Sequence, residues 1–180
     1  MSSEIVPAFI GRTFDQICFV VQDLEEAMEF WRRTNGVDVW SVAIDLAKDQ
    51  TDKEYLGEPE DFNFSCAYGF AGETMIELAR HEGGKSLYKD WLDEGGRGPH
   101  HIGFRLADAE ELAKAEAAYR STGVEKAMGG FFQTPTASCR WSYWDTRRAI
   151  GCYTELYFLG GDAEERMARM KAGEAVDITE

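Results

Sequence analysis

Two histidines stand side by side in the stretch Gly98-Pro99-His100-His101-Ile102-Gly103-Phe104, just after a turn and at the mouth of a predicted strand. An earlier stretch, Phe14-Asp15-Gln16-Ile17-Cys18-Phe19, has the same design, with Gln16 where the later one has His101. Each half of the chain also closes in a strand that carries a glutamate, Met75-Ile76-Glu77-Leu78 and Tyr153-Thr154-Glu155-Leu156. Alternate residues of a strand share a face, so Gln16 lies with Cys18 and Val20, Glu77 with Met75, and Glu155 with Tyr153 and Tyr157. A carboxylate among such neighbours is costly unless something positive meets it. Two of them, at matching places in two repeats, are most economically met by a cation. Gln16, Glu77, His101 and Glu155 would then present an amide oxygen, an imidazole nitrogen and two carboxylates. That donor set suits Zn²⁺, Mn²⁺, Ni²⁺, Co²⁺ or Fe²⁺ without ranking them.

Taken singly, each residue has a plainer role. Gln16 is a polar strand-start residue and His101 a hydrogen-bonded core histidine. Glu77 can pair with Arg80 or Arg105, and Glu155 with Arg140 or Arg147. Only the repeat symmetry of all four favours the metal. His100 points to the other face of its strand and is left out of the ligand set. His81 is expected in a solvent-facing loop.

The elements that must position these residues follow from local signals. Residues 1–12 read as a loose leader. Thr13 to Val21 is a β-branched and aromatic strand. Asp23 then caps a helix with Glu26 completing the capping box, and Leu24, Ala27, Met28 and Trp31 form its buried stripe up to Asn35-Gly36. Val37 to Ile44 reads as a strand. Residues 45–61 are charged, contain Gly57 and Pro59, show no periodicity, and read as an exposed excursion able to lie over a site. Phe62–Phe70 and Glu73–Ala79 make a hairpin. A connector over 81–97 holds a short helix capped by Ser86. The second half repeats the plan: strand from His101 to Leu106, helix capped by Asp108 with Glu111, and strands Phe131–Thr134, Ser138–Trp144 and Gly151–Phe158. A last helix over 162–172 starts at Asp162, and the acidic tail after Gly173 is expected to fray. The fold class is α+β: one domain over 1–180, with two tandem βαβββ modules, 13–80 and 98–159, forming a half-open, cupped sheet of eight strands.

Composition narrows the partners. A formal net charge of −14 repels nucleic acid and anionic membranes, so neither is expected. Eleven Phe, seven Tyr and five Trp fill a core or line a cavity. Cys18, Cys66, Cys139 and Cys152 lack CxxC spacing, sit in predicted strands, and read as free thiols in a reducing compartment. The first residues do not read as a signal peptide, and no apolar run approaches membrane-spanning length. The expected location is cytoplasmic.

The run Phe14-Asp15-Gln16-Ile17-Cys18-Phe19-Val20-Val21-Gln22-Asp23-Leu24-Glu25-Glu26-Ala27 resembles the opening of the vicinal oxygen chelate superfamily, which takes in glyoxalase, bleomycin-resistance and dioxygenase proteins. Ser86 to Phe104 is similar to methylmalonyl-CoA epimerase and its glyoxalase-like relatives. Trp144-Asp145-Thr146 followed by Gly151-Cys152-Tyr153-Thr154-Glu155 is similar to their closing strand pair. The resemblance covers roughly residues 13–159. It makes Gln16, Glu77, His101 and Glu155 the ligands of a divalent metal. The chain departs from the epimerase pattern, which usually has His at Gln16 and often Gln at Glu77. It is similar to animal-type glyoxalase I at all four positions but shows no glutathione-binding signature. The ring-cleaving dioxygenase pattern wants two His and one Glu around Fe²⁺, which Gln16 does not match.

The resemblance implies a metal-dependent isomerase, epimerase or lyase. The metal would hold two neighbouring oxygens of a small-molecule substrate and stabilise an enediolate while a proton leaves the adjacent carbon. Glu155 is the expected base, with Glu77 its counterpart on the other face. Phe19, Tyr68, Phe104, Trp141 and Tyr143 are candidate cavity walls. The rival readings are a drug-sequestering binding protein without turnover and an Fe²⁺ extradiol-type dioxygenase. Family modules often pair across chains, so a homodimer is also expected.

Overall fold

The computed structural model describes residues 13–179 of the chain, and the expected leader over 1–12 lies outside them. The first module starts with strand β1 (Thr13–Val20) and helix α1 (Leu24–Asn35). Asp23 caps α1 by accepting from the Glu26 N–H, and Gly36 closes it in the left-handed region at φ 69°. Strands β2 (Trp40–Ala43), β5 (Asn63–Ala71) and β6 (Thr74–Gly83) complete this module. Helix α2 (Leu87–Asp93), capped by Ser86, leads to the second module. That module comprises β7 (His101–Leu106), α3 (Ala109–Ser121), β8 (Lys126–Gln133), β9 (Ala137–Trp144), the short α4 (Arg147–Ile150) and β10 (Tyr153–Gly161). Helix α5 (Ala163–Lys171) follows.

Together with β3 (Gln50–Tyr55) and β4 (Glu58–Pro59), the strands join in one curled sheet in the order β2-β5-β6-β1-β7-β10-β9-β8-β3-β4. The repeat is visible in the pairing. β1 runs parallel to β6 and β7 parallel to β10, while β1 and β7 meet antiparallel at the centre. The four central strands, β6-β1-β7-β10, are therefore the four predicted to carry a site residue. α1 covers one flank of the sheet, with Leu24 packed among Val37, Trp40, Ile76 and Leu78. α3 covers the matching flank with Leu112 and Ala115 against Leu106, Trp144 and Leu156. The aromatic core fills the inside of the curl with Phe62, Phe64, Tyr88, Trp141 and Tyr143.

The sheet has ten strands where eight were expected. The difference is the charged stretch 45–61, which is not a free loop. It forms a 3₁₀ turn over Leu46–Asp49 and a hairpin of β3 (Gln50–Tyr55) and β4 (Glu58–Pro59). β3 pairs antiparallel with β8, so a segment of the first module extends the edge of the second. Its outward residues are charged, which hid the pattern, while Leu46 and Gln50 are buried. Other differences are smaller. β8 begins at Lys126, upstream of the expected Phe131; the Gly129-Gly130 pair carries no side chains to show the alternation that marks a strand. His81 lies inside β6, where its Nδ1 is 3.0 Å from Ser86 Oγ, not in a loop. Cys152 precedes β10, and all four cysteines are free. The tail does not fray through residue 179: Val176 is buried and its N–H donates to Ser41 Oγ at 2.8 Å. Among the described residues no helix is long and apolar enough to cross a membrane.

Candidate metal centre

Gln16, Glu77, His101 and Glu155 meet at the floor of the cup, one from each central strand. All four are buried. Gln16 Nε2 donates to Glu77 Oε2 at 2.6 Å and to Glu155 Oε2 at 2.9 Å, and lies 3.1 Å from His101 Nε2. His101 Nε2 is 3.0 Å from Glu77 Oε2 and 3.4 Å from Glu155 Oε2. Four polar heads thus point at one spot.

The sheet register brings them there. Gln16 and Glu155 both stand opposite Gly103, on its two sides. Cys18 stands opposite Glu77 on one side and His101 on the other. The β1–β7 register shifts between Phe14 and Gln16, and this bulge takes Asp15 out of the ladder. Asp15 is buried as well and is held by Arg105 at 2.9 Å and the Tyr157 hydroxyl at 2.6 Å.

The arginines offered as alternative partners are engaged elsewhere. Arg80 binds Glu82, Arg105 binds Asp15, Arg140 binds Asp52 and Arg147 binds Asp145. Among the described residues, the basic side chain that reaches the two carboxylates is His101. Burial opposes its protonation, but Glu155 and Glu77 outweigh burial and push the imidazole up to about 9. Burial likewise works to raise the Glu77 carboxyl, yet the His101 ring and the thiol at Cys66 bring it below its ordinary range. Glu155 stays above its ordinary value, chiefly through burial.

These residues fit a divalent cation. The Gln16 amide has two N–H groups, and both go to carboxylates, so its nitrogen and His101 Nε2 crowd at 3.1 Å against the same glutamate oxygens. A cation at the same point removes that conflict. The amide can turn its oxygen inward, His101 can present a lone pair, and both carboxylates gain a partner.

Two participants were not expected. His100 was set aside as facing away, yet its ring is fully buried and its Nδ1 lies 3.0 Å from His101 Nδ1. It precedes β7, so strand alternation does not govern it. The ring is packed against Tyr88, Trp91, Tyr143 and Tyr153. Cys18 was read only as a buried thiol. Its sulfur, Glu77 and His101 offer ligand atoms within 4.8 Å of one another. The second glutamate oxygen, Glu77 Oε1, accepts from Cys66 Sγ at 3.1 Å. The same-face relation of Gln16 and Cys18 was the sequence signal for the thiol. For His100 only its adjacency to His101 hinted at contact.

A cavity of about 130 Å³ opens above the quartet, with Gln16, Glu77 and Glu155 in its floor. Of the expected wall aromatics, Tyr68, Trp141 and Tyr143 line it. Phe19 instead packs on Trp31 beneath α1, and Phe104 packs with Phe14 and the α3 cluster.

The sequence profile of the Glyoxalase/Bleomycin resistance protein/Dioxygenase superfamily matches residues 15–143, and the chain belongs to that superfamily. Solved structures share the fold. A hypothetical protein of Bacillus halodurans C-125 is 17% identical with a TM-score of 0.58, over 82% of this chain and 94% of that one. Methylmalonyl-CoA epimerase from Mycobacterium tuberculosis is 18% identical with a TM-score of 0.55, over 84% and 91%. A Streptomyces coelicolor methylmalonyl-CoA epimerase in complex with 2-nitronate-propionyl-CoA is 22% identical with a TM-score of 0.51, over 81% and 93%. No curated protein sequence matches the chain.

Proposed function

We propose that this protein is a divalent-metal-dependent isomerase, epimerase or lyase of glyoxalase type, moving a proton on the carbon next to a carbonyl. One observation carries the reading: two buried carboxylates, an amide and an imidazole converge within 2.6–3.4 Å, with the neighbouring arginines committed elsewhere. Gln16, Glu77, His101 and Glu155 would hold the ion. When bound, it supplies Lewis-acid stabilisation of the oxyanion that develops as the carbon loses its proton. The structural likeness to the epimerases supports the same class of chemistry.

The chain's own groups do the rest. Glu155 takes the proton, and Glu77 is its counterpart on the other side of the site. Burial of Glu155 favours its protonated form, which suits a carboxylate that must accept a proton and return it. His100 keeps the His101 ring aimed at the centre through the Nδ1 contact. The aromatic wall excludes water from the exchanging proton. The dioxygenase reading is less well supported because Gln16 replaces a second imidazole.

The test combines metal analysis with exchange. Purified protein is assayed for bound Zn²⁺, Mn²⁺, Ni²⁺, Co²⁺ and Fe²⁺, then incubated in D₂O with a panel of 2-hydroxy and 2-oxo carbonyl compounds and followed by NMR. Wild type should bind about one equivalent of metal per chain and exchange the proton next to the carbonyl. Glu155→Gln should keep metal and lose exchange by a factor of at least about 100. Full exchange in metal-replete Glu155→Gln would refute the assignment of the base.

A further inference from the structure

The cup is roofed by the chain's own C-terminal segment. Helix α5 leaves β10 in the second module and packs against β10, β9 and β5. Met167 and Met170 of α5 and Ile178 of the tail line the cavity above the quartet. The roof is tied down at several points on both modules. Arg166 donates to Asp162, to Thr136 Oγ1 and to the Asp177 carbonyl. Lys171 pairs with Glu73 of the β5–β6 turn, and the Val176 N–H bonds Ser41 on β2.

Several polar groups of the wall already have partners. Trp141 Nε1 donates to Gln50 Oε1 at 3.2 Å, the Tyr143 and Tyr88 hydroxyls share a bond of 2.7 Å, and Tyr157 donates to Asp15 at 2.6 Å. Between these groups the wall is mostly apolar, with Phe64, Phe132, Leu159 and the two methionines beside the hydroxyl-bearing Tyr68 and Ser138. The polar side chains that converge on one point are those of the floor. A ligand with many polar atoms beyond the floor would lose more hydrogen bonds to water than this largely apolar wall returns. The volume, about 130 Å³, is close to the roughly 150 Å³ of a cavity that admits benzene. Arg166 is the one cationic side chain lining this cavity among the described residues, and it is already engaged by Asp162, Thr136 and Asp177. The lining therefore offers the several phosphate charges of a coenzyme A handle no cationic side chain beyond the engaged Arg166.

We infer that the substrate is a small, apolar, handle-free carbonyl compound, with two neighbouring oxygens at one end and an alkyl or aryl body enclosed between the aromatic wall and the C-terminal roof. The inference rests on the metal reading above for the role of the two oxygens, and on the roof and wall for the apolar body. The methionines suit such a body because their flexible thioethers adapt to irregular apolar shapes.

Calorimetry on the full chain, as purified and after loading with Mn²⁺ or Zn²⁺, tests it with three probes: benzohydroxamate, acetohydroxamate and acetyl-CoA. Metal content is measured on each sample. Benzohydroxamate should bind at least about tenfold more tightly than acetohydroxamate, because the ring buries apolar surface that the methyl group does not. Acetyl-CoA should give no saturable heat. Met167→Asp should abolish the preference for the aryl probe, and Met167→Leu should keep it, which separates a lost contact from a lost fold. Acetyl-CoA binding as tightly as benzohydroxamate, or an aryl preference that survives Met167→Asp, overturns the inference and leaves the metal reading standing. Protein that takes up no metal but retains an aryl preference sensitive to Met167→Asp overturns the metal reading and supports the apolar substrate. Absence of metal uptake and of binding by all three probes overturns both.

Discussion

Gln16 and Glu155 reach toward the same point across the bare backbone of Gly103, which is paired with Gln16 on one side and with Glu155 on the other. A Cβ at Gly103 would stand 2.8 Å from the Gln16 Cβ and 3.3 Å from Glu155 Oε2. Gly103→Ala should therefore spread the quartet. Overpacking of this kind costs about 1–3 kcal/mol, read as a lowered urea midpoint. Metal affinity should fall at the same time, measured by titration against a chromophoric chelator.

His100 does not line the cavity, yet it touches the distal nitrogen of His101. Replacing it with Phe keeps an aromatic ring among Tyr88, Trp91 and Tyr153 and deletes the Nδ1 partner. His100→Phe should lower metal affinity about 10–100-fold while the near-ultraviolet circular dichroism of the core is retained. Unchanged affinity would show that packing alone orients the His101 ring.

Gln50 sits on β3, in the inserted hairpin, and accepts from the Trp141 indole on β9. Gln50→Ala leaves that buried N–H unsatisfied, a loss of about 1–3 kcal/mol. The urea midpoint should drop accordingly. A change near zero would mean that the hairpin contributes nothing to the second module's edge.

Asp145 and Arg147 supply a pH-dependent element beside β10. The hydrogen bonds from Arg147, at 2.9 and 2.7 Å, hold the Asp145 carboxyl below its ordinary 3.8. A depressed acid stabilises the fold above its unfolded pKa, and that contribution fades as the pH falls through the folded value. The difference in thermal midpoint between wild type and Asp145→Asn should be full above pH 3.8 and shrink progressively below it. The pair is partly exposed, so salt should reduce the difference. A gap that widens with acid would invert the assignment.

Short-range chemistry made much of this protein legible from its residues. Asp23 with Glu26, and Asp108 with Glu111, mark both helix starts because a cap is a bond between residues three apart. The Ala71-Gly72 turn and the repeat of Gln16 against His101 and Glu77 against Glu155 pointed to two modules facing one centre. What lay hidden depends on partners distant in the chain. β3 carries charges on its outer face and has no internal pattern, so only its ladder to β8 makes it a strand. His100 comes before the strand whose alternation was used to orient it, and burial under Trp91 and Tyr88 turned its ring toward His101. The roof over the cavity likewise arises from α5 and the tail reaching back to Ser41 and Glu73. Sequence periodicity reports which face of an element is apolar. Which other element covers that face is decided by the packing of the whole sheet, and here that packing sets the size and polarity of the site.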